Sequence, residues 1–585
     1  MGTELGVIER FVAASLGQRL FVMICLVALV ITGVVAYRDL PIEAFPDLTN
    51  NQVTVVTEAR GLAAVEVEVR VSYPIETALM GVPGAQEVRS VSKSGLSLVT
   101  VVFEDAVSTY MARQLVNERV SEARSRLPEG LAPTLGPVAT AFGEIYQYLV
   151  QSDTASVMDR KTIHDWDLRT QLRSVKGVSE INSWGGLTRE YQVVVDPQRL
   201  ERFGVTLPEV FAAIAANNTS FSGGFIEHRS ERYTVRGTGL VASEDDLRHI
   251  VVDEVGGVPV LISDLADVRI GAMQRQGAVT ADGAGESLAG MVIMLKGENG
   301  RDVGRRTKAR IAEVVGTLPG HLTITPFYDQ TEVIDRTAAT VQRNLIEGSL
   351  LVTLVLFVFL RDVRAALIVA AVIPASMLVG FMGMRIFGVS GNLMSLGAID
   401  FGLIVDGAVV MVENFVRKRS EAGHTVEHHD PHGSRMALFR DAATEVARPI
   451  LFGVLIIVAV YLPIFTLEGL EGKMFRPMAI TVCSAVLGSL LLSLTAVPVI
   501  SSFLLRLSGA HHDEAWFVRL RTRYLHDLTA AINHPARTLG LALVLVVAAI
   551  GSLPFLGTEF MPKLDEGSIL IETRKLPSIS LDESV

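Results

Sequence analysis

Three carboxylates fall in or at the end of one apolar run, Ala398-Ile-Asp-Phe-Gly-Leu-Ile-Val-Asp-Gly-Ala-Val-Val-Met-Val-Glu-Asn414: they are Asp400, Asp406 and Glu413. Inside a bilayer an unpaired ionised side chain at the centre of such a run costs at least about 2.5–3.5 kcal/mol, so these residues call for a function. Asp406 and Glu413 are seven positions apart. At about 100° per residue that puts them within about 20° of one helix face and about 10.5 Å apart along its axis, with Asp400 roughly 120° around from Asp406. Hydrocarbon favours a neutral acid and a nearby cation favours a carboxylate, so such a set can take up and release a proton near neutral pH. The spacing therefore predicts a proton relay through Asp406, Asp400 and Glu413. Glu413 can also serve as a snorkelling end residue, and Asp400 as a structural hydrogen bonder. The Asp400-Phe-Gly triplet does not make a kinase, because no Gly-rich phosphate loop or His-Arg-Asp motif accompanies it.

Histidines form the other chemical clusters. His424, His428, His429 and His432 stand with Glu427 and Asp430, and His511-His512 with Asp513. Imidazole and carboxylate at this spacing can bind zinc or nickel. Both segments lack periodic apolar residues to fix them, so they read as solvated loops. The two cysteines, Cys25 and Cys483, form no CxxC pair, which excludes a zinc ribbon, an iron-sulfur ferredoxin and a disulfide scaffold.

The elements that must position the acids are membrane helices. Of 585 residues 49% are hydrophobic and 20% charged, with a mean hydropathy of +0.39, which is too apolar for an ordinary soluble enzyme. Seven stretches meet or approach the roughly 20 apolar residues that a bilayer requires. They are Leu20 to Tyr37, Leu345 to Leu360, Ala365 to Met384, Leu393 to Val412, Ile450 to Phe465, Met478 to Leu505 and Leu539 to Leu556, the second and fifth being short. No small-residue cleavage site follows the first, which reads as a retained anchor. Lys and Arg gather at Arg10 and Arg19, around Arg417-Lys418-Arg419 and at Arg519 to Arg523, which puts the N-terminus inside. Leu520 to Ile532 reads as an amphipathic helix on the inner surface. Both cysteines then lie within spans. The net charge of −11 argues against nucleic acid as a partner.

Between the first two spans the pattern runs strand, helix, strand, strand, helix: Val53 to Glu58, Ala63 to Met80, Gln86 to Ser92, Leu96 to Phe103 and Tyr110 to Leu127. It recurs as Ile145 to Gln151, Met158 to Leu172, Val178 to Ser183, Glu190 to Asp196 and Leu207 to Ala216. The words recur too, since Val82-Pro-Gly-Ala-Gln-Glu-Val-Arg-Ser90 matches Val175-Lys-Gly-Val-Ser-Glu-Ile-Asn-Ser183 at Val, Gly, Glu and Ser. Tandem ferredoxin-like split βαβ units are the simplest account. Gly223-Gly224 and the run to Gly237 predict a protruding hairpin. A longer echo joins Leu40-Pro-Ile-Glu-Ala-Phe-Pro-Asp-Leu48 after the first span to Leu556-Gly-Thr-Glu-Phe-Met-Pro-Lys-Leu564 after the seventh. This predicts a second copy of the whole plan, hence one half of a duplicated transporter of roughly 1,030 residues.

The pattern Asp-Phe-Gly, three residues, Asp-Gly-Ala, four residues, Glu-Asn at 400–414, with Leu40 to Asp47 and Asp565-Glu-Gly567, resembles the heavy-metal efflux branch of the resistance-nodulation-division (RND) transporters, of the CzcA and CusA type. The resemblance runs the length of the chain. It implies a metal/proton antiporter, not an enzyme, in the bacterial inner membrane: a homotrimer among membrane lipids, joined by a periplasmic adaptor to an outer-membrane channel. It implies no cofactor beyond the transported metal ion and protons. The essential proton carrier falls on Asp406, with Asp400 and Glu413 as accompanying acids. Copper and silver members line their route with methionines, soft ligands for monovalent copper. Here Ile404 and Asn392 stand at two such positions and only Met411 is kept, while Glu572, in Ser568-Ile-Leu-Ile-Glu-Thr573, replaces a cleft methionine. Glu572 and Met411 are thus the candidate metal ligands, and harder divalent ions (Zn, Co, Cd or Ni) are favoured.

The expected fold is an α-helical membrane bundle of seven predicted spans with a large α+β periplasmic region of tandem ferredoxin-like βαβ subdomains. Its parts are 1–37 (N-terminal segment and first span), 38–340 (periplasmic porter and docking region), 341–506 (second to sixth spans), 507–537 (cytoplasmic amphipathic linker), 538–556 (seventh span) and 557–585 (start of a second periplasmic region). Two alternatives stand beside it. One is an inactive or assembly-dependent fragment, since no Lys or Arg lies in the apolar cores of the spans to partner Asp406. The other is an RND pump for copper, silver or amphiphilic drugs; drug pumps resemble an adjacent Asp pair where this chain has Asp406-Gly407. Cells expressing the complete transporter are expected to gain tolerance to zinc, cobalt, cadmium or nickel and little to copper or silver. A copper-only phenotype in plate growth assays would overturn the argument from Ile404, Asn392 and Glu572.

Overall fold

The computed structural model describes residues 7–43, 46–140, 143–275, 277–360, 362–397, 401–422, 431–505, 515–557, 568–576 and 578–585. The chain divides into two compact bodies, one of Met1–Asn51, Glu104–Val107 and Glu332–Thr573, the other of Gln52–Phe103, Ser108–Thr331 and Arg574–Val585.

The first body is helical, and among the described residues it holds seven helices long and apolar enough, by length and composition, to cross a membrane. The second and fifth expected spans were read as short, yet their helices, Gln330–Leu360 and Pro431–Tyr461, are each 31 residues long. Counting apolar residues measures only the part that hydrocarbon selects; the helical backbone continues through polar residues beyond it. Met478 to Leu505, read as one span, is two helices, Gly469–Leu494 and Ala496–Leu504. Pro498 has no N–H to give the Leu494 carbonyl, which lies 3.4 Å from the Ser15 hydroxyl, a group that donates to the Val12 carbonyl at 2.8 Å. Leu393 to Val412 is described as Leu393–Gly397 and Phe401–Ala422.

Small residues set the packing. Helices Val363–Ile386 and Gly469–Leu494 lie close because Gly380, Gly383 and Gly488 carry no side chain. A Cβ on Gly488 would meet Val379 at 2.6 Å, and one on Gly380 would touch Ala485 at 3.4 Å. The core between them is fully apolar at Val369, Ile373, Ala485 and Val486.

The second body holds two larger sheets. In the first, the strands run in the order Ala85–Lys93, Leu96–Phe103, Asn51–Glu58, Thr134–Leu135, with the first two forming the expected hairpin. The second departs from expectation. Val178 to Ser183 and Glu190 to Asp196 are consecutive strands of the recurring pattern, but they do not pair with each other: Val178–Gly185 pairs with Glu286–Met294, which pairs on its other edge with Glu144–Gln151, and that strand in turn with Thr323–Asp329. Arg189–Val195 pairs instead with Ala266–Ala272. Gly185 and Gly186, at φ of +71° and +70°, turn the chain out of the sheet. The central place goes to Glu286–Met294 because Leu288, Ala289, Met291 and Val292 are buried, whereas Arg189 and Gln192 need water on one face. The expected helix Leu207 to Ala216, found as Leu207–Asn217, likewise belongs to an inserted lobe with its own core of Val205, Val210, Leu247, Ile262 and Leu265. The predicted hairpin is present as Ser220–His228 against Glu231–Thr238, its register slipping at Gly223-Gly224.

A buried polar network pins the second sheet to its helix. A π-turn at His164–Leu168 interrupts the helix spanning Val157 to Arg173. The Tyr148 hydroxyl lies 3.0 Å from His164 Nε2, and His164 Nδ1 lies 3.0 Å from Asp165 Oδ1. Ser183 donates to the same oxygen at 2.8 Å, and the Lys161 ammonium sits 3.2 Å from Asp165 Oδ2. Burial alone would raise the Asp165 pKa, but the hydrogen bonds from His164 and Ser183 and the Lys161 charge outweigh it and hold the group at about 2. A depressed carboxylate stabilises the fold above its unfolded pKa, and that stability is lost as pH falls towards 2. Asp165→Asn is expected to cost about 1–3 kcal/mol at neutral pH and to flatten the pH dependence below pH 4, read by hydrogen exchange of Val178–Gly185 in the detergent-solubilised chain.

Candidate functional site

Helix Phe401–Ala422 has two unlike faces. Ile404, Val405, Ala408, Met411, Val412 and Phe415 are at most 3% exposed and pack into the helical core. Gly402, Asp406, Val410, Glu413 and Arg417 form an exposed stripe along the other side. Asp406 and Glu413 thus share one face that none of the described helices covers, as their spacing requires. Asp400 lies outside the described residues, so its place relative to the pair is not part of the site drawn here.

Close packing behind Asp406 holds its side chain on the open face. A Cβ on Gly407 would stand 3.0 Å from Ile450 and 3.3 Å from the Ser493 hydroxyl. The Ser489 hydroxyl donates to the Ile404 carbonyl one turn away. At the far end the buried Asn414 amide donates to the Ala442 carbonyl at 2.7 Å, and its carbonyl oxygen accepts from Arg417 at 2.7 Å. Arg417 and Lys418 also pair with Glu445, at 2.9 and 3.2 Å. The helix is therefore fixed in rotation at both ends of the stripe.

The other candidates fall elsewhere. Met411 has no exposure and packs in the core, so its thioether faces side chains and not a route. Asn392, 1% exposed, exchanges hydrogen bonds with Ser395, accepting at 2.8 Å and donating at 3.0 Å, and so starts helix Leu393–Gly397. Glu572 is exposed in an extended segment without regular structure. His424, His428, His429, His511 and His512 lie outside the described residues, and His432 opens helix Pro431–Tyr461. Among the described residues no group of three or more His, Cys, Asp or Glu is placed to hold a metal ion.

Sequence reasoning passed over Glu43. Its carboxylate accepts from the Ser390 hydroxyl at 2.9 Å, across 347 residues of chain. The available signal was a glutamate in the apolar run Leu40-Pro-Ile-Glu-Ala-Phe.

A bundle of apolar helices with an acidic stripe on one span, joined to mixed α/β sheets, is the architecture of an RND transporter. A match to the AcrB/AcrD/AcrF family over residues 11–585 shows that the chain belongs to that family of transporters. It is 44% identical to the cation efflux system protein CzcA of an Alcaligenes species and 43% identical to the cobalt-zinc-cadmium resistance protein CzcA of Cupriavidus metallidurans, in each case over 99% of this chain and 55% of the relative. A crystal structure of a heavy metal efflux pump matches with a TM-score of 0.83 at 35% identity, over 94% of this chain and 53% of that one. The chain spans about half the length of the curated relatives it matches.

Because Gly407 lets three helices meet behind Asp406, Gly407→Val is expected to lower the stability of the helical body by about 1–3 kcal/mol, with Gly407→Ala closer to neutral. Thermal melting of the detergent-solubilised protein checks it, and equal melting of Gly407→Val and the parent would refute the packing argument.

Proposed function

We propose that this chain contributes to proton-driven efflux of divalent heavy-metal cations, as part of the inner-membrane component of a three-part RND pump. The observation that carries the reading is the exposed stripe that places Asp406 and Glu413 on one face of helix Phe401–Ala422, whose other face packs apolar side chains into the core. In hydrocarbon a carboxylate rests either as the neutral acid or beside a cation. Proton uptake at Asp406 from one side of the membrane, followed by pairing with a cation brought by whatever covers the stripe, gives the two states that a coupled cycle requires. Each charge moved gains about 2.3 kcal/mol per 100 mV. Glu413, on the same face, and Asp400 act as accompanying acids.

The finer assignments follow the same reading. The seven apolar helices are membrane spans with the N-terminus inside, and the α/β body is periplasmic. In both larger sheets, leaving aside the two-residue strand Val279–Thr280 at the edge of the five-stranded second one, the chain-order positions of the strands run second, third, first, fourth, which supports ferredoxin-like units, the second one interrupted by the inserted lobe. A homotrimer, a periplasmic adaptor and an outer-membrane channel are the proposed partners. Divalent zinc, cobalt, cadmium or nickel is the proposed cargo, supported by the cobalt, zinc and cadmium resistance for which the 43% identical relative is named and by Ile404, Asn392 and Glu572 standing in place of soft ligands. Glu572 is the more apt ligand of the two candidates, because Met411 is sealed in the core.

Asp406→Asn in the transporter that carries this chain is expected to abolish zinc tolerance at unchanged membrane abundance, with Glu413→Gln milder. Full tolerance in Asp406→Asn would sink the relay; a more damaging Glu413→Gln would move the proton path to that residue.

A further inference from the structure

Glu43 stands where three elements of the helical body meet. It follows helix Arg19–Asp39, and a parallel bridge joins Ile42 to Gly391 in the connection between Val363–Ile386 and Leu393–Gly397. The Glu43 N–H donates to the Gly391 carbonyl and the Gly391 N–H to the Pro41 carbonyl, each at 2.8 Å. Ile42 packs with Val333 and Ile334 of helix Gln330–Leu360. A Cβ on Gly391 would stand 3.1 Å from the Leu40 Cδ2, so the two segments pack closely at this residue. This clamp holds the half-buried carboxylate against Ser390, with Oε2 accepting at 2.9 Å. Asn392, next along, starts the helical segment that leads towards Asp406, and its side-chain nitrogen is buried with no hydrogen-bond partner among the described residues.

We propose that Glu43 is an outer proton-loading site for the span that carries Asp406, a role that rests on the function proposed above. A carboxylic acid here takes a proton from outside water and gives it up along the polar residues Ser390 and Asn392. The carboxyl follows the first apolar helix, beyond its last residue Asp39, so in the proposed membrane arrangement it stands nearer to outside water than Asp406 in its apolar span. Burial pushes the Glu43 pKa above the ordinary glutamate value, the Ser390 hydrogen bond opposes this, and the Asp47 charge adds to the rise. Among the other charges nearby, Asp39 pairs with Arg385 at 2.7 Å and Glu332 with Arg336 at 3.2 Å, Asp335 follows the clamp residue Ile334 on its helix, and Lys473 of helix Gly469–Leu494 pairs with Asp105 at 2.7 Å. A carboxyl whose pKa is raised takes its proton at a higher pH than an ordinary glutamate and can pass it on.

The test is zinc flux in vesicles holding the transporter that carries this chain, measured against outer pH for the parent, Glu43→Gln, Ser390→Ala and Asp406→Asn. Glutamine keeps the shape and can still accept from Ser390 but carries no proton. Glu43→Gln should lower flux about tenfold or more at an outer pH near 7.5, with the deficit narrowing as the outer solution is acidified and Asp406 loads directly. Ser390→Ala removes the donor that favours the ionised form, so its pH profile should move to higher pH. Parent-like flux and profile in Glu43→Gln would overturn the proposal. So would an equal loss at every pH in both variants, which marks a clamp without proton transfer. Normal flux in Asp406→Asn would instead refute the relay itself, independently of Glu43.

Discussion

A carboxylate packed among apolar side chains has no water with which to share its charge, and the helical body is arranged around that fact. Asp406 and Glu413 stay out of the helix–helix interfaces, where they would displace apolar contacts worth roughly 25 cal/mol per Å². They are confined to one exposed stripe of Phe401–Ala422, with Ile404, Met411 and Phe415 turned the other way into the core. A stripe of this kind holds only if the helix cannot rotate. One turn of slack would drive an acid into the packed face, and the structure removes that slack with Gly407 against Ile450 at one level and Asn414 bonded to the Ala442 carbonyl at another.

The same economy of shape governs the neighbouring helices. Gly380, Gly383 and Gly488 let Val363–Ile386 and Gly469–Leu494 approach closely, and that pair forms the wall on which the acidic helix leans. Lipid tails are as apolar as leucine, so close van der Waals contact and satisfied backbone groups carry association here more than burial does.

The shared face of Asp406 and Glu413 was legible in sequence because it follows from helical period alone. The first sheet's hairpin was legible for a similar reason, as its two strands are adjacent and alternate in polarity. The second sheet was not. Local patterning marks Val178–Gly185 as a strand, but its partner Glu286–Met294 begins about a hundred residues later, and the nearer strand Arg189–Val195 has an equally plausible pattern. Only competition for the doubly buried central place, with two left-handed glycines turning the chain away, decides between them. Glu43 was missed because its hydroxyl partner is remote in sequence, and neither residue is unusual by itself. Asp400 and, of the two histidine clusters, His424, His428, His429, His511 and His512 lie outside the described residues.

The two sheets also show how one architecture can carry different chemistry. In each, the first helix is interrupted by a π-turn, at Glu68–Ser72 and at His164–Leu168. A π-turn inserts one residue and redirects the side chains beyond it. In the first sheet it brings the buried Ser72 hydroxyl to Ser92 at 2.7 Å and Ser97 at 2.8 Å. In the second it brings Asp165 to Ser183, within reach of Lys161 and His164. Hydroxyls can exchange donor and acceptor roles, so the first pin is indifferent to pH. The second is held by charge, and it loosens when its carboxylate takes a proton. A repeat whose words still match at Val82–Ser90 and Val175–Ser183 has therefore kept the device that aims the helix side chain at the sheet, while the group being aimed changed from neutral to ionised. That change makes the second sheet the more sensitive of the two to an acidic surrounding.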